Sequence, residues 1–437
     1  MTSYLTAFLA DYQGRDMHNR PLSFFAGMCV LMLSVMGTSV SHVASTSFAL
    51  LVLAGLFTMK RWKQTWSCLG KEEKWLLYGF SLYALSGFLS YLNVQDVAEY
   101  TKDIERYFRF LLAIPIYLFL KSYRIDAIRY LYAGALFSGP FLLAVALYAY
   151  FENPNIPSRG HYHHIIFGSL AMLNVGVMLA ILLTAKLSHL ARIAISVSIL
   201  CAFTAAILSQ SRGVWLAAPA YLVILLYMTW RHSKKNAVIA LLAIGIMASV
   251  AALSPVGDIV NKRITEAVDE VTSFYKEDRY ASSVGARLAM WEIAVDVWKE
   301  NPVLGTGPGD FDDEVIALQA KGEYVGMEIH ASTHNIYVQA LVNTGLFGLS
   351  VLLFSIFFQP VRVLYSSKYN DRTVSFSGLT VLLLFAVVGL SESWTLRLPV
   401  ISVYIIYILV IVNSLYATGH AVEKERSHDV KKVKASA

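Results

Sequence analysis

The residues best suited to chemistry fall at three places in the 437-residue chain. A long polar stretch, 254–333, ends in Ala331-Ser332-Thr333-His334-Asn335-Ile336-Tyr337 and runs straight into an apolar segment. Ser332 and Thr333 are helix-start residues, which puts His334 at or just inside the N-terminus of the next helix. An imidazole beside the positive end of a helix stays neutral and suits a general base. The competing reading is a histidine that caps the helix and bonds Asn335. His330 and His334 also form His-x-x-x-His, the spacing of two zinc ligands on one helix face. The helix-start residues between them argue against that, and no third ligand is spaced to complete a site.

Arg212 lies in Ser209-Gln210-Ser211-Arg212-Gly213-Val214-Trp215, a very short turn between two apolar runs. It reads either as an interfacial arginine whose head reaches water or as a phosphate ligand presenting a fork of donors. In the second reading Ser209, Gln210 and Ser211 orient it, and Gly213 lets a ligand approach the backbone. Arg287 opens a predicted amphipathic helix with Leu288, Trp291, Val295 and Trp298 on one face. Ser282 or Ser283 is its N-cap, and Asn301-Pro302 ends it. A cation there is opposed by the helix dipole, which makes sense where an anion binds; the alternative is an exposed arginine on a solvated face.

Other polar groups gather between the predicted spans. Arg159 with His161, His163 and His164 precedes one span, and Glu392 and Arg397 lie in the last short turn. Such histidine clusters are mostly interfacial belt residues, with metal binding the lesser reading. The acidic run Asp310, Asp312, Asp313 and Glu314 lacks the alternating spacing of a calcium loop and reads as solvated loop.

The elements that must position these groups are membrane helices. Hydrophobic residues make up 56% of the chain, charged residues 15%, and mean hydropathy is +0.54. This composition excludes a soluble globular protein. Apolar runs predict twelve spans, at 22–40, 42–59, 75–92, 104–120, 127–150, 165–184, 190–208, 213–230, 237–253, 334–358, 374–390 and 398–416. The organisation expected is therefore nine spans in 1–253, a structured polar loop at 254–333, three spans in 334–416 and a basic tail at 417–437. The first twenty residues read as a short interfacial helix, with neither the basic start nor the cleavage site of a signal peptide.

Of the 36 lysines and arginines, 23 fall in one alternate set of connecting segments and only six in the short segments of the other. The bias predicts cytoplasmic termini and an external long loop. The net charge of +6 is thus a topology signal spread over short loops, not a nucleic-acid footprint. Cys29 and Cys201 lie in apolar runs and Cys68 in a basic loop, so no disulfide framework is expected.

An arginine in a short outer turn, an arginine opening a helix in one large outer loop, His334-Asn335-Ile336-Tyr337 before a span, and then Gly345-Leu346-Phe347-Gly348 resemble the O-antigen ligase and polymerase superfamily. The resemblance implies an all-α, GT-C-like membrane glycosyltransferase of the bacterial inner membrane, with its active site on the periplasmic face. Twelve spans and a single late loop look most like the ligase. The Arg-x10-Gly pattern of the polymerases is absent, and protein oligosaccharyltransferases, the other alternative, are usually longer. The implied donor is undecaprenyl diphosphate-linked O-polysaccharide, and the implied acceptor is lipid A–core oligosaccharide. Transfer would be inverting, without metal or cofactor. His334 would act as base and Arg212 and Arg287 would bind the diphosphate, with Arg159, His163, His330 and Tyr337 as secondary substrate contacts. Unlike many membrane glycosyltransferases, the chain has no aspartate in its first outer loop, Val40-Ser41-His42. The rival class, a transporter of lipid-linked sugars, predicts repeated halves and ionisable groups at the membrane midplane, and the sequence shows neither.

Overall fold

The computed structural model describes residues 20–435 except 38, 95–96, 155, 233, 235–254, 275–281, 326 and 367–370. Among these residues there are helices and no strands. In chain order they are α1 (Arg20–Met36), α2 (Val43–Phe57), α3 (Met59–Cys68), α4 (Lys71–Leu89), α5 (Val97–Leu111), α6 (Ala113–Ser122), α7 (Ile128–Glu152), α8 (His164–Thr184), α9 (His189–Leu208), α10 (Arg212–Trp215) and α11 (Ala217–His232). After the undescribed residues come α12 (Pro255–Phe274), α13 (Ser283–Glu300), α14 (Phe311–Ala320), α15 (Ile336–Leu352), α16 (Gln359–Ser366), α17 (Arg372–Val388) and α18 (Leu398–Ala435). A π-helical turn, Leu353–Phe358, joins α15 to α16.

The chain is a multi-pass membrane protein. Six helices are long and apolar enough to cross a membrane, and a seventh span results if α2 and α3, bent by 89° at Thr58, count as one. Three shorter apolar stretches, Pro21–Met36, Arg212–Ile224 and Arg372–Val388, match predicted spans in position. The predicted span at 237–253 lies outside the described residues, as does the predicted interfacial helix at the start of the chain. α8 and the apolar part of α18 are buried on nearly every side. A helix apolar all round is stable only where neighbours cover it, and here α7, α9 and α17 pack around α8.

Three local readings need correction. The segment Met59–Cys68 is an amphipathic helix, not a basic loop, so Cys68 ends a helix. The predicted span 104–120 is broken at Leu112 into α5 and α6. α5 carries Glu99, Lys102, Asp103, Glu105, Arg106 and Arg109, and these pair along the helix itself: Lys102 with Glu99, Arg106 with Asp103, Arg109 with Glu105. The acidic run is the start of α14, with Asp310 fully buried and Asp312, Asp313 and Glu314 in the first turn, where the helix dipole favours them.

The long loop is a small helical layer with its own core. Phe274, Met290, Ile293, Val297, Phe311 and Val315 bury one another, and Val342 of α15 reaches in from the bundle. Burial of each such large side chain from water contributes about 1.5–3 kcal/mol. The packed face of α13 is Gly285, Ala289, Met290, Ile293, Ala294 and Val297, not the predicted Leu288, Trp291, Val295 and Trp298. Small residues let α13 lie close to its neighbours, a signal that counting large side chains overlooks.

The loop is also stitched into α15. Gly345 (φ 64°) interrupts the helix, and Leu346 N–H and Phe347 N–H donate to Pro302 and Val303 at 2.9 and 3.1 Å. In return Thr306 N–H and Gly307 N–H donate to Val342 and Asn343 at 2.9 and 3.2 Å. A Cβ on Gly345 would sit 2.2 Å from the Val303 oxygen, and one on Gly305 (φ 72°) 2.2 Å from that of Val342. Two glycines thus let a turn-rich strap lie in the break of a membrane helix.

Candidate active site

His334 precedes its helix instead of entering it. Asn335 is the N-cap of α15, accepting from Tyr337 N–H at 2.9 Å and Val338 N–H at 3.2 Å. His334 itself is left-handed (φ 49°), a conformation costing about 1–3 kcal/mol outside glycine. Its neighbours enforce it. Trp291 of α13 donates to the Thr333 carbonyl at 2.9 Å, Asn335 N–H to Ser393 Oγ at 3.0 Å, and Ile336 N–H to the Gly389 carbonyl at 2.9 Å. The loop helix and the turn between α17 and α18 therefore hold the histidine from two sides.

That turn supplies its partner. Glu392 Oε2 lies 3.1 Å from His334 Nδ1, while Glu392 Oε1 accepts from Arg397 Nε at 3.1 Å. Only 4% of the Glu392 side chain is exposed, so burial pushes its carboxyl up. The bonds from His334 and Arg397 and the charge of Arg397 outweigh this and hold it at about 2. The carboxylate is ionised at neutral pH and can only accept, so in the neutral imidazole Nδ1 carries the hydrogen and Nε2 the lone pair. His334 Nε2 has no hydrogen-bond partner among the described residues.

The arginines converge on the same end of the bundle. Arg287 is half-buried in the second turn of α13, whose N-cap is Ser282. Burial pulls its guanidinium below the usual arginine range; Glu392 and Glu270 oppose this and Arg212 adds to it. Among the described residues Arg287 forms no ion pair within 4 Å. Arg212 opens α10, and the Arg212-Gly213 turn abuts the turn that carries Glu392. A Cβ on Gly213 would lie 1.8 Å from Ser391 Oγ, so this glycine accommodates a serine of the chain and not a ligand.

Arg212 is already paired. Its Nη2 lies 2.7 Å from Glu270 Oε1 and 3.9 Å from Glu266 Oε2, both on α12, whereas its Nη1 is buried without a partner among the described residues. Among the described residues no hydrogen bond from Ser209, Gln210 or Ser211 reaches its guanidinium. Gln210 accepts from Arg263 instead, and Arg263 Nη1 pairs with Glu266 at 2.9 Å. Arg212, Trp215, Arg263, Ile264 and Val268 help line a mostly apolar cavity of about 570 Å³ whose polar groups are the two guanidiniums and Thr272.

The other predicted residues divide. His163 is the N-cap of α8, its Nδ1 accepting from Ile165 N–H at 3.5 Å. Partial burial lowers its imidazole; Glu392 opposes that, while Arg397, His334 and Arg159 reinforce it, so it belongs to the His334 cluster. His330 stacks edge-on to His334 with ring centres 6.0 Å apart, and burial lowers it too. The Tyr337 hydroxyl is committed to the Ala386 carbonyl at 2.8 Å, and Arg159 is exposed. No group of three His, Cys, Asp or Glu side chains converges as a metal site among the described residues. Sequence reasoning gave Glu392 no role and missed Arg263, Glu266 and Glu270. The last three had a legible signal: they fall at i, i+3 and i+7 and share one face of α12.

Arg212, Arg263, Arg287 and His334 all lie inside 197–353, the residues that match the Wzy_C family model, described as O-Antigen ligase. That match covers about a third of the chain. His163 and Glu392, which belong to the same cluster as His334, lie outside the matched residues. The chain is similar to an uncharacterized protein of Haemophilus influenzae, 27% identical over 318 residues, covering 70% of this chain and 78% of that one. It is also similar to the O-antigen ligase of Escherichia coli strain K12, 27% identical over 214 residues, covering 47% of this chain and 48% of the relative. The match thus spans about half the length of that ligase.

Proposed function

We propose that the protein is an O-antigen ligase acting at the periplasmic face of the bacterial inner membrane, a twelve-span enzyme with both termini cytoplasmic. It transfers O-polysaccharide from undecaprenyl diphosphate to lipid A–core oligosaccharide in lipopolysaccharide biosynthesis. The observation that carries this reading is His334, strained and held at Nδ1 by an ionised buried carboxylate, Glu392, whose charge also acts on Arg287.

In this mechanism an acceptor hydroxyl attacks the anomeric carbon from the face opposite the diphosphate. The new glycosidic C–O bond forms as the carbon–diphosphate oxygen bond breaks, which inverts the configuration. The hydroxyl proton passes to His334 Nε2, and the bonding electron pair leaves with the diphosphate. Glu392 steadies the imidazolium that results, and Arg212 and Arg287 take up the charge developing on the leaving oxygen. Removing a carboxylate partner of such a histidine costs the correct tautomer as well as the charge.

The test is the product formed by purified protein given defined lipid-linked donor with core lipid and, in parallel, a second donor molecule. A polysaccharide–core adduct is expected. Donor–donor chains alone would make it a polymerase, the nearest competing activity. Reporters fused within 254–333 should be periplasmic and those after Lys63 or Lys424 cytoplasmic; a cytoplasmic long loop overturns the proposal.

A further inference from the structure

An arginine proposed to bind a diphosphate is held here by a carboxylate, and the way it is held is informative. Glu270 uses both oxygens: Oε1 takes Arg212 Nη2 at 2.7 Å, and Oε2 takes the backbone N–H of Val284, in the first turn of α13, at 2.9 Å. A side-chain fork and an unpaired first-turn amide are the donors that phosphate oxygens use. We propose that Glu270 is a stand-in anion that occupies this donor pair until the diphosphate of the lipid-linked donor displaces it, moving α12 as substrate enters. The inference rests on the assignment of Arg212 as a diphosphate ligand.

Three observations make exchange reasonable. Arg212 has only 25% of its side chain exposed, and a charge so placed needs a partner when no substrate is present. A diphosphate brings more oxygens and more charge than one carboxylate. It can satisfy Arg212 Nη1, which Glu270 leaves buried and unbonded, and it can reach toward Arg287, which forms no ion pair among the described residues. α12 is also lightly packed. Its main packing partner is α13, and Ile264, Val268 and Val271 of its cavity wall are exposed. Few buried contacts mean a low cost of local displacement. Arg263 and Glu266 lie on α12 and pair with each other, so moving the helix breaks the Arg263 bond to Gln210 and the longer Arg212–Glu266 contact and opens the cavity that Arg212 and Arg263 line.

If the carboxylate occupies the site nine times in ten, removing its charge raises apparent affinity about tenfold. The experiment measures binding of farnesyl diphosphate and inorganic pyrophosphate to purified full-length wild type, Glu270→Gln, Glu270→Asp and Arg212→Ala, with thermal stability of each. The glutamine keeps the shape and the aspartate is too short for both donors, so both variants should bind farnesyl diphosphate about five- to tenfold more tightly. Arg212→Ala should bind it weakly. If wild type binds through Arg212 but neither Glu270 variant tightens, Glu270 is a structural clamp and the exchange is wrong, although the diphosphate reading stands. If binding is unaffected by Arg212→Ala, the assignment of Arg212 itself fails, and the exchange fails with it.

Discussion

His334 and Glu392, 58 residues apart in sequence, meet at 3.1 Å through Nδ1 and Oε2, and Arg397 fixes the other carboxylate oxygen at the same distance. The acid is thus oriented from both ends, and the imidazole can carry its hydrogen only on the nitrogen that faces it. An isosteric amide breaks this logic, because a glutamine can equally donate to Nδ1 and select the wrong tautomer. Glu392→Gln should therefore lower the single-turnover rate by about 10² or more while leaving donor affinity near wild type. A defect confined to donor affinity would remove Glu392 from the chemistry.

The same carboxylate sets an acid limit on stability. Its folded pKa of about 2 is below its ordinary value, so its contribution is complete above the ordinary carboxylate range and is lost as pH falls towards the folded value. The contribution is on the order of 3 kcal/mol at most. Thermal melts between about pH 5 and pH 2 should fall more steeply for the native protein than for Glu392→Gln. Parallel slopes would mean that the ion triad is not formed in the membrane.

Arg212→Lys and Arg287→Lys each keep a charge and lose the planar fork. Both should remain strongly impaired in transfer, with the deficit largest in donor affinity for Arg212→Lys. Wild-type rates in both would turn these arginines into packing or topology residues.

Gly345→Ala tests the strap. The new Cβ meets the Val303 carbonyl and the residue must hold φ near 64°, so strain of about 1–3 kcal/mol adds to a backbone clash. The variant should melt earlier and lose transfer, because the strap positions α13 and, through Trp291, the Thr333-His334 turn. A normal melt with normal turnover would show that the helix break is dispensable.

How far these features could be read from sequence depends on their range. The N-cap role of Ser282 was legible because caps are set by neighbours within three residues, whereas the start of α15 lies later than Ser332 and Thr333 indicate, at Asn335. Residue type and the order of spans place Arg212, Arg287 and His334 on one side of the membrane, and in the structure Arg287 feels the charges of Arg212 and Glu392. His334's left-handed backbone was not legible, since it is imposed by Ser393 and Gly389, far along the chain. Glu392 was visible as an outer-face acid, but its pairing is a tertiary contact with no local signature. The broken helix at Leu112 and the small-residue face of α13 were misread because apolar periodicity counts large side chains and not the fit of small ones.

The absence of a metal requirement is a separate expectation. With arginines neutralising the leaving diphosphate, purified enzyme should keep its activity in excess chelator. Loss of activity restored by one divalent ion alone would overturn it and return His330 and His334 to consideration as ligands.

His334→Ala is the most direct test of the chemistry. Removing a general base costs about 10² to 10⁴ in rate, and nothing in that role requires the imidazole to hold the donor. The variant should fold and bind lipid-linked donor through Arg212 and Arg287, yet transfer very little. Because Asn335 and not His334 caps α15, a capping defect is not expected. Relief of the left-handed strain is not expected either, since alanine tolerates that conformation no better. A loss of stability would instead report the bond to Glu392, whose buried carboxylate would be left with Arg397 alone. His334→Ala/Glu392→Gln then separates the effects: it should regain stability over His334→Ala without regaining turnover. Normal turnover in His334→Ala, or a defect wholly in donor binding, would mean the acceptor proton leaves by another route.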